Sequence, residues 1–136
     1  MRRVSMVLTS LLMLFLLQSC IPDEGNPDLS GSWTCTETSE IFMKTLKGTS
    51  VYPVRFIGDV NNPDRYQIEN FYKLGNGVKV MVEVSGYTIT IPRQTAGGFE
   101  FVGQGSISGN YALIELEYTA DDSGGEIDHV TATYAR

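Results

Sequence analysis

From Gly31 onward, apolar residues return at every second position. Val78, Val80, Val82 and Val84 alternate with Lys79, Met81 and Glu83, and Tyr87, Ile89 and Ile91 alternate with Thr88 and Thr90. Ala112, Ile114, Leu116 and Tyr118 alternate with Leu113, Glu115 and Glu117, and Val130, Ala132 and Tyr134 with Thr131 and Thr133. A period of two predicts half-buried antiparallel strands. Tyr52-Val54-Phe56-Gly58 and Phe99-Phe101-Gly103-Gly105 add two more. A strand at Trp33 and one from Tyr66 to Phe71 bring the total to eight. Gly75-Asn76-Gly77, Ser85-Gly86, Gly97-Gly98, Ser108-Gly109-Asn110 and Asp122-Ser123-Gly124-Gly125 supply tight turns. Glycine reaches positive φ there without steric cost. Short links pair neighbours in sequence order, and an eight-stranded meander must hide one apolar face and two edges. Closure into a barrel does both. The expected fold is therefore all-β, an eight-stranded antiparallel up-and-down barrel, with a two-sheet sandwich as the alternative. Gly103 and Gly105 on an apolar face predict a sharp bend or a close backbone approach. Ile41-Phe42-Met43 with Leu46 forms either one helical turn or an irregular continuation of the first strand.

The N-terminus has a different pattern. Arg2 and Arg3 precede the apolar run Met6–Leu17, broken by Thr9 and Ser10. This run fits a secretory h-region and is too short for a membrane span of roughly 20 residues. It ends in Leu17-Gln18-Ser19-Cys20, which resembles the lipobox of bacterial lipoproteins. The resemblance implies a signal peptide over residues 1–19, cleavage between Ser19 and Cys20, and acyl chains on Cys20. Two or three chains hold a protein stably on a membrane, whereas one does so marginally. Residues 20–30 then form a tether rich in proline, glycine and acids, leaving residues 31–136 as the folded domain. Asp23 and Glu24, soon after the cysteine, resemble the surface-export signal of Bacteroidetes lipoproteins. Outer-membrane attachment is expected, with surface display favoured over a periplasmic face.

Gly31-Ser32-Trp33 resembles the Gly-x-Trp opening of lipocalins and other calycins. In that superfamily the tryptophan closes one barrel end and an arginine near the last strand stacks across it. The resemblance gives these roles to Trp33 and Arg136. The segments Asn70–Gly75, Ile89–Gln94 and Tyr118–Asp122 extend the similarity to small Bacteroidetes lipoproteins with a calycin-like barrel, over roughly residues 29–136. Most of that family lacks an assigned activity.

The 136 residues carry 10 Lys and Arg against 16 Asp and Glu, a formal charge of −6. Removal of Arg2 and Arg3 with the signal peptide leaves 8 against 16, or −8. Such a chain lacks the basic face a nucleic-acid partner requires, and an anionic lipid surface repels it. Cys35 shares an inner face with Trp33 and has Cys20 as its sole potential partner, which lipid consumes. It reads as a small buried hydrophobe rather than a nucleophile. His129, the single histidine, faces outward by alternation with Val130. No Cys-His pair or serine triad assembles, and no enzyme activity or cofactor is expected. Asp121, Asp122, Glu126 and Asp128 surround a glycine turn. Hard oxygen ligands of this density suit calcium, but the spacing does not match an EF-hand and a solvated turn is the simpler account. Glu115 and Glu117, about 7 Å apart on one strand face, read as outer wall. The aromatics Tyr52, Phe56, Phe99, Phe101 and Tyr118 fall on inner faces, where they fill the barrel or line a ligand cavity. Two functions follow. One is a carrier of a small apolar or amphipathic ligand in the barrel, favoured by inner-face glycines. The other is a filled barrel that displays its loops to a protein or glycan.

Overall fold

A computed structural model describes residues 28–43 and 48–136. The expected signal peptide over residues 1–19, Cys20, most of the expected tether and Leu46 lie outside the described residues. The chain forms eight strands: β1 (Gly31–Ser39), β2 (Thr49–Asp59), β3 (Asn62–Glu69), β4 (Lys79–Ser85), β5 (Thr88–Ala96), β6 (Phe99–Ile107), β7 (Leu113–Asp121) and β8 (Ile127–Ala135). Each strand pairs antiparallel with its neighbour in sequence, and β8 returns to β1, from Thr34↔Ala135 to Ser39↔Val130. The sheet is a closed up-and-down barrel, so the sandwich alternative is set aside. A single helical turn, α1 (Glu40–Met43), follows β1.

Inner positions alternate with outer ones along every strand. Trp33, Cys35, Tyr52, Val54, Phe56, Ile68, Val80, Val82, Ile89, Ile91, Ile114, Leu116, Ala132 and Tyr134 form one continuous core. Three positions depart from the sequence pattern. Tyr87 lies in the β4–β5 turn, exposed and stacked on Tyr111 at a 13° interplanar angle. Gly58 keeps the inner parity opposite buried Tyr66 but is exposed at the end of β2, where the β2–β3 register shifts before Asp59. β3 ends at Glu69 rather than Phe71, because Asn70 turns left-handed at φ 61° and Phe71 drops into the barrel.

The inner-face glycines do not open a cavity. A Cβ at Gly105 would lie 1.9 Å from the Glu115 carbonyl oxygen, and one at Gly103 would lie 2.4 Å from that of Glu117. The backbone of β7 occupies the space, and β6 coils sharply across it.

Prolines mark where ladders break. The Pro53 carbonyl accepts a hydrogen bond from the Asn70 side chain at 2.8 Å, one position beyond the end of β3. The missing N–H of Pro53 points the same way, where no strand requires it. Pro92 sits within the shift between Ile91 and Gln94, where the β5–β6 register changes. β4 and β5 pair only from Glu83↔Thr90 to Ser85↔Thr88. Beyond that point the Gln94 amide spans the gap. Its Oε1 accepts from the Met81 N–H at 2.7 Å, and its Nε2 donates to the carbonyls of Met81 at 2.7 Å and Pro92 at 2.9 Å.

Candidate functional site

The two barrel ends differ. At the end holding the chain's entry at Asp28 and its C-terminus, Leu29 plugs the opening. The Leu29 carbonyl accepts from Trp33 Nε1 at 2.9 Å, and its N–H donates to Tyr66 Oη at 3.3 Å. Phe56 packs against Trp33, Tyr66 and Tyr134. The Arg136 guanidinium lies 4.4 Å from the centre of the Trp33 ring and donates to the Asp28 carbonyl at 3.0 Å. This end is closed.

At the opposite end, alternation carries polar residues inward. After Trp33 and Cys35, the inner positions of β1 are Glu37 and Ser39. Before Val130 on β8, the inner position is Asp128. All three are buried. Glu37 Oε2 accepts hydrogen bonds from Tyr52 Oη at 2.5 Å and Tyr118 Oη at 2.6 Å. Asp128 Oδ2 accepts from Ser39 Oγ at 2.5 Å and Tyr72 Oη at 2.6 Å, and Oδ1 from the Ile41 N–H at 3.2 Å. Burial pushes the Glu37 carboxyl above its ordinary range. The Tyr118 and Tyr52 hydroxyls and Lys73 oppose that rise, while the charge of Asp128 adds to it. Burial likewise raises the hydroxyls of Tyr52, Tyr72, Tyr118 and Tyr134, so all four stay protonated at neutral pH.

Above these carboxylates lies a cavity of about 490 Å³. Glu37, Ser39 and Asp128 supply its polar lining, Ile41, Leu74, Phe99 and Ala120 its apolar walls, and Lys73, Asp122 and Glu126 further charged positions. The β3–β4 connection sets the Tyr72 side of the cavity. Asn70, Tyr72 and Lys73 take left-handed φ of 61°, 54° and 58°, a conformation that costs about 1–3 kcal/mol per non-glycine residue. Asn70 holds the connection from within, its Oδ1 accepting from the Gly75 N–H at 2.8 Å. Phe71 packs beneath against Phe101 and Tyr118, with centroids 5.1 and 4.7 Å away. The strained turn therefore plants one aromatic in the core and aims the next at Asp128. A larger trough of about 850 Å³ runs along the outer wall past Val102, Gln104, Glu117, Thr119, His129 and Thr131. It is an open surface with no buried carboxylate.

Of the five aromatics singled out from the sequence, Phe99 lines the end cavity. Tyr52 and Tyr118 lie beneath it and hold Glu37. Phe101 is buried behind them, and Phe56 belongs to the closed end. Glu37 and Ser39 were legible from the same alternation that places Cys35 inside, and Asp128 from the alternation of β8. Glu37 and Ser39 carry no motif that singles them out in the sequence, and Asp128 reads there as one of the acids around the glycine turn. Asp121 and Asp122 instead accept from the Ser123 and Gly124 N–H groups within their own turn. Among the described residues, no group of three His, Cys, Asp or Glu is close enough to hold a metal ion. Glu115, Glu117 and His129 are exposed on the outer wall. Cys35 is an inward free thiol that burial pushes up to about 12, whereas His129 lies exposed on the outer wall, so the two occupy opposite faces. The chain matches no protein-family model, and no curated protein is detectably similar to it.

Proposed function

We propose that this protein is a lipid-anchored cell-envelope binding module of calycin-like type, anchored through Cys20, that holds a small amphipathic ligand in the open end of its barrel. The observation that carries this reading is the end cavity of about 490 Å³, with apolar walls and hydrogen-bonded carboxylates. Its size falls within the range of about 300–1,000 Å³ typical of small-molecule sites. Preorganisation supports the reading as well. The tyrosine hydroxyls fix both carboxylates, so binding does not have to order them. The ligand site lies at the end rather than in the middle, because the barrel interior is filled.

Anchoring gives the site a direction. The chain enters the fold at the closed end, so a tether from Cys20 reaches that end and the cavity opens away from the membrane. Native mass spectrometry of the protein purified from its host membranes is expected to show a co-purifying small molecule. Cys20→Ala is expected to abolish acyl labelling and release the protein from the membrane fraction. The second function, loop display by a filled barrel, draws support from the packed core and the exposed Tyr87 and Val60. An empty cavity in the purified protein, together with a captured protein or glycan, decides for it.

A further inference from the structure

Glu37 is only 5% exposed and lines the end cavity. Both hydroxyls that bind it fall on Oε2. Neither hydroxyl falls on Oε1, which is not among the buried side-chain oxygens left without a partner and so stays available on the cavity side. Asp128 brings a second carboxylate to the same cavity. Lys73, the one basic residue in the described lining, makes no ion pair with either. The described lining thus offers carboxylate oxygens and a net negative charge, next to the hydrocarbon surface of Ile41, Leu74 and Phe99.

We propose that the ligand is an amphipathic amine, with its ammonium head against Glu37 Oε1 and its hydrocarbon along Ile41, Leu74 and Phe99. This rests on the carrier reading above and specifies its ligand. An ammonium group has donors and no acceptor, which complements an acceptor-only carboxylate. A carboxylate ligand meets repulsion from Glu37 and Asp128. An alcohol donates one hydrogen bond and leaves the charge uncompensated. The groups facing Glu37 agree with this choice. Tyr52 approaches from β2, Tyr118 from β7, Asp128 and Tyr134 from β8, Tyr72 and Lys73 from the β3–β4 turn, and Cys35 from its own strand. Among the described residues, Lys73 is the only cation that faces Glu37. An arriving ammonium offsets the burial and the like charge that hold the Glu37 proton, so binding below the raised pKa releases that proton to solvent.

The test is calorimetric titration of the full-length protein in nonionic detergent with hexylammonium, hexanol and hexanoate, each corrected for titration into detergent alone. Hexylammonium is expected to bind at least about tenfold more tightly than either of the others, and to strengthen as pH rises and the raised Glu37 carboxyl ionises. Glu37→Gln is expected to remove the preference for hexylammonium and leave hexanol binding in place. Phe99→Ala should weaken both ligands and preserve their ratio. If Glu37→Gln does not fold, the pH series on the unaltered protein carries the test. Equal binding of hexylammonium and hexanol, or a preference that survives in Glu37→Gln, overturns the amine assignment and leaves the carrier reading intact. Failure of all three probes to bind overturns both.

Discussion

Glu37 and Tyr134 are buried a few positions apart on the inner wall and carry opposite liabilities. Glu37 is well donated to, yet its ionised form is disfavoured by burial and by Asp128, so its folded pKa lies above the ordinary 4.5. A raised acid contributes stability that is fully present below the unfolded pKa and is lost as pH rises through the folded one. Thermal melts of the unaltered protein are therefore expected to fall relative to Glu37→Gln as pH climbs from about 4.5 towards neutrality. A difference between the two proteins that does not change with pH would count against this. Tyr134 is wholly buried, and its hydroxyl makes no regular hydrogen bond. An unsatisfied buried polar group costs about 1–3 kcal/mol, so Tyr134→Phe is expected to stabilise by about 1 kcal/mol in urea unfolding. A loss of stability would show that the hydroxyl has a partner in solution. Both residues were legible in principle. Trp33, Cys35, Glu37 and Ser39 share one parity, as do Asp128, Val130, Ala132 and Tyr134. What alternation does not convey is the pairing, because Tyr52 and Tyr118 reach Glu37 from strands 15 and 81 residues away.

Between β4 and β5, one side chain substitutes for a ladder. The Gln94 amide presents a carbonyl and an N–H to Met81 in the arrangement of an antiparallel backbone partner. Gln94→Ala leaves the Met81 N–H and C=O without these bonds and is expected to cost about 1–3 kcal/mol, read as a lower urea midpoint. Gln94→Glu is expected to be little better, since its second oxygen faces the Met81 and Pro92 carbonyls. A neutral Gln94→Ala would show that water replaces the bridge fully. The strand count, the pairing order and the glycine bend were legible because they rest on period two, short turns and the missing Cβ. The seam was less so. Pro92 signals that a ladder breaks nearby, but the identity of the residue that repairs it depends on how far the strands diverge. The end of β3 departs from the sequence pattern for a related reason. Phe71 continues the apolar pattern, but it reaches the core through a left-handed turn rather than a strand.

Across the whole barrel, order is unevenly distributed from end to end. β1 and β2 pair without interruption from Gly31↔Phe56 at the closed end to Thr38↔Thr49, and at the closed end Leu29, Trp33 and Arg136 tie the start of the barrel to its last strand. At the cavity end lie the split between β4 and β5, the left-handed turn at Asn70–Lys73 and the single turn of α1. Regions with fewer ladder bonds and strained backbone open at lower free energy than the global transition. On the proposed carrier reading, the cavity end requires some of that freedom to admit a ligand, while the closed end does not. Native-state hydrogen exchange is therefore expected to show two classes of amide. Segments 31–36 and 130–135 should exchange only through global unfolding, while segments 70–82 and 92–99 should exchange through a smaller opening. Gln94→Ala should speed the second class more than the first, because it removes the bridge that holds β5 to β4 at that end. A saturating ligand for the cavity should slow the second class, because binding to the closed-up state draws population from the opened one. Uniform exchange across both sets of segments would show that the barrel opens as a single unit and that Gln94 and the short β4–β5 ladder do not define a weak end.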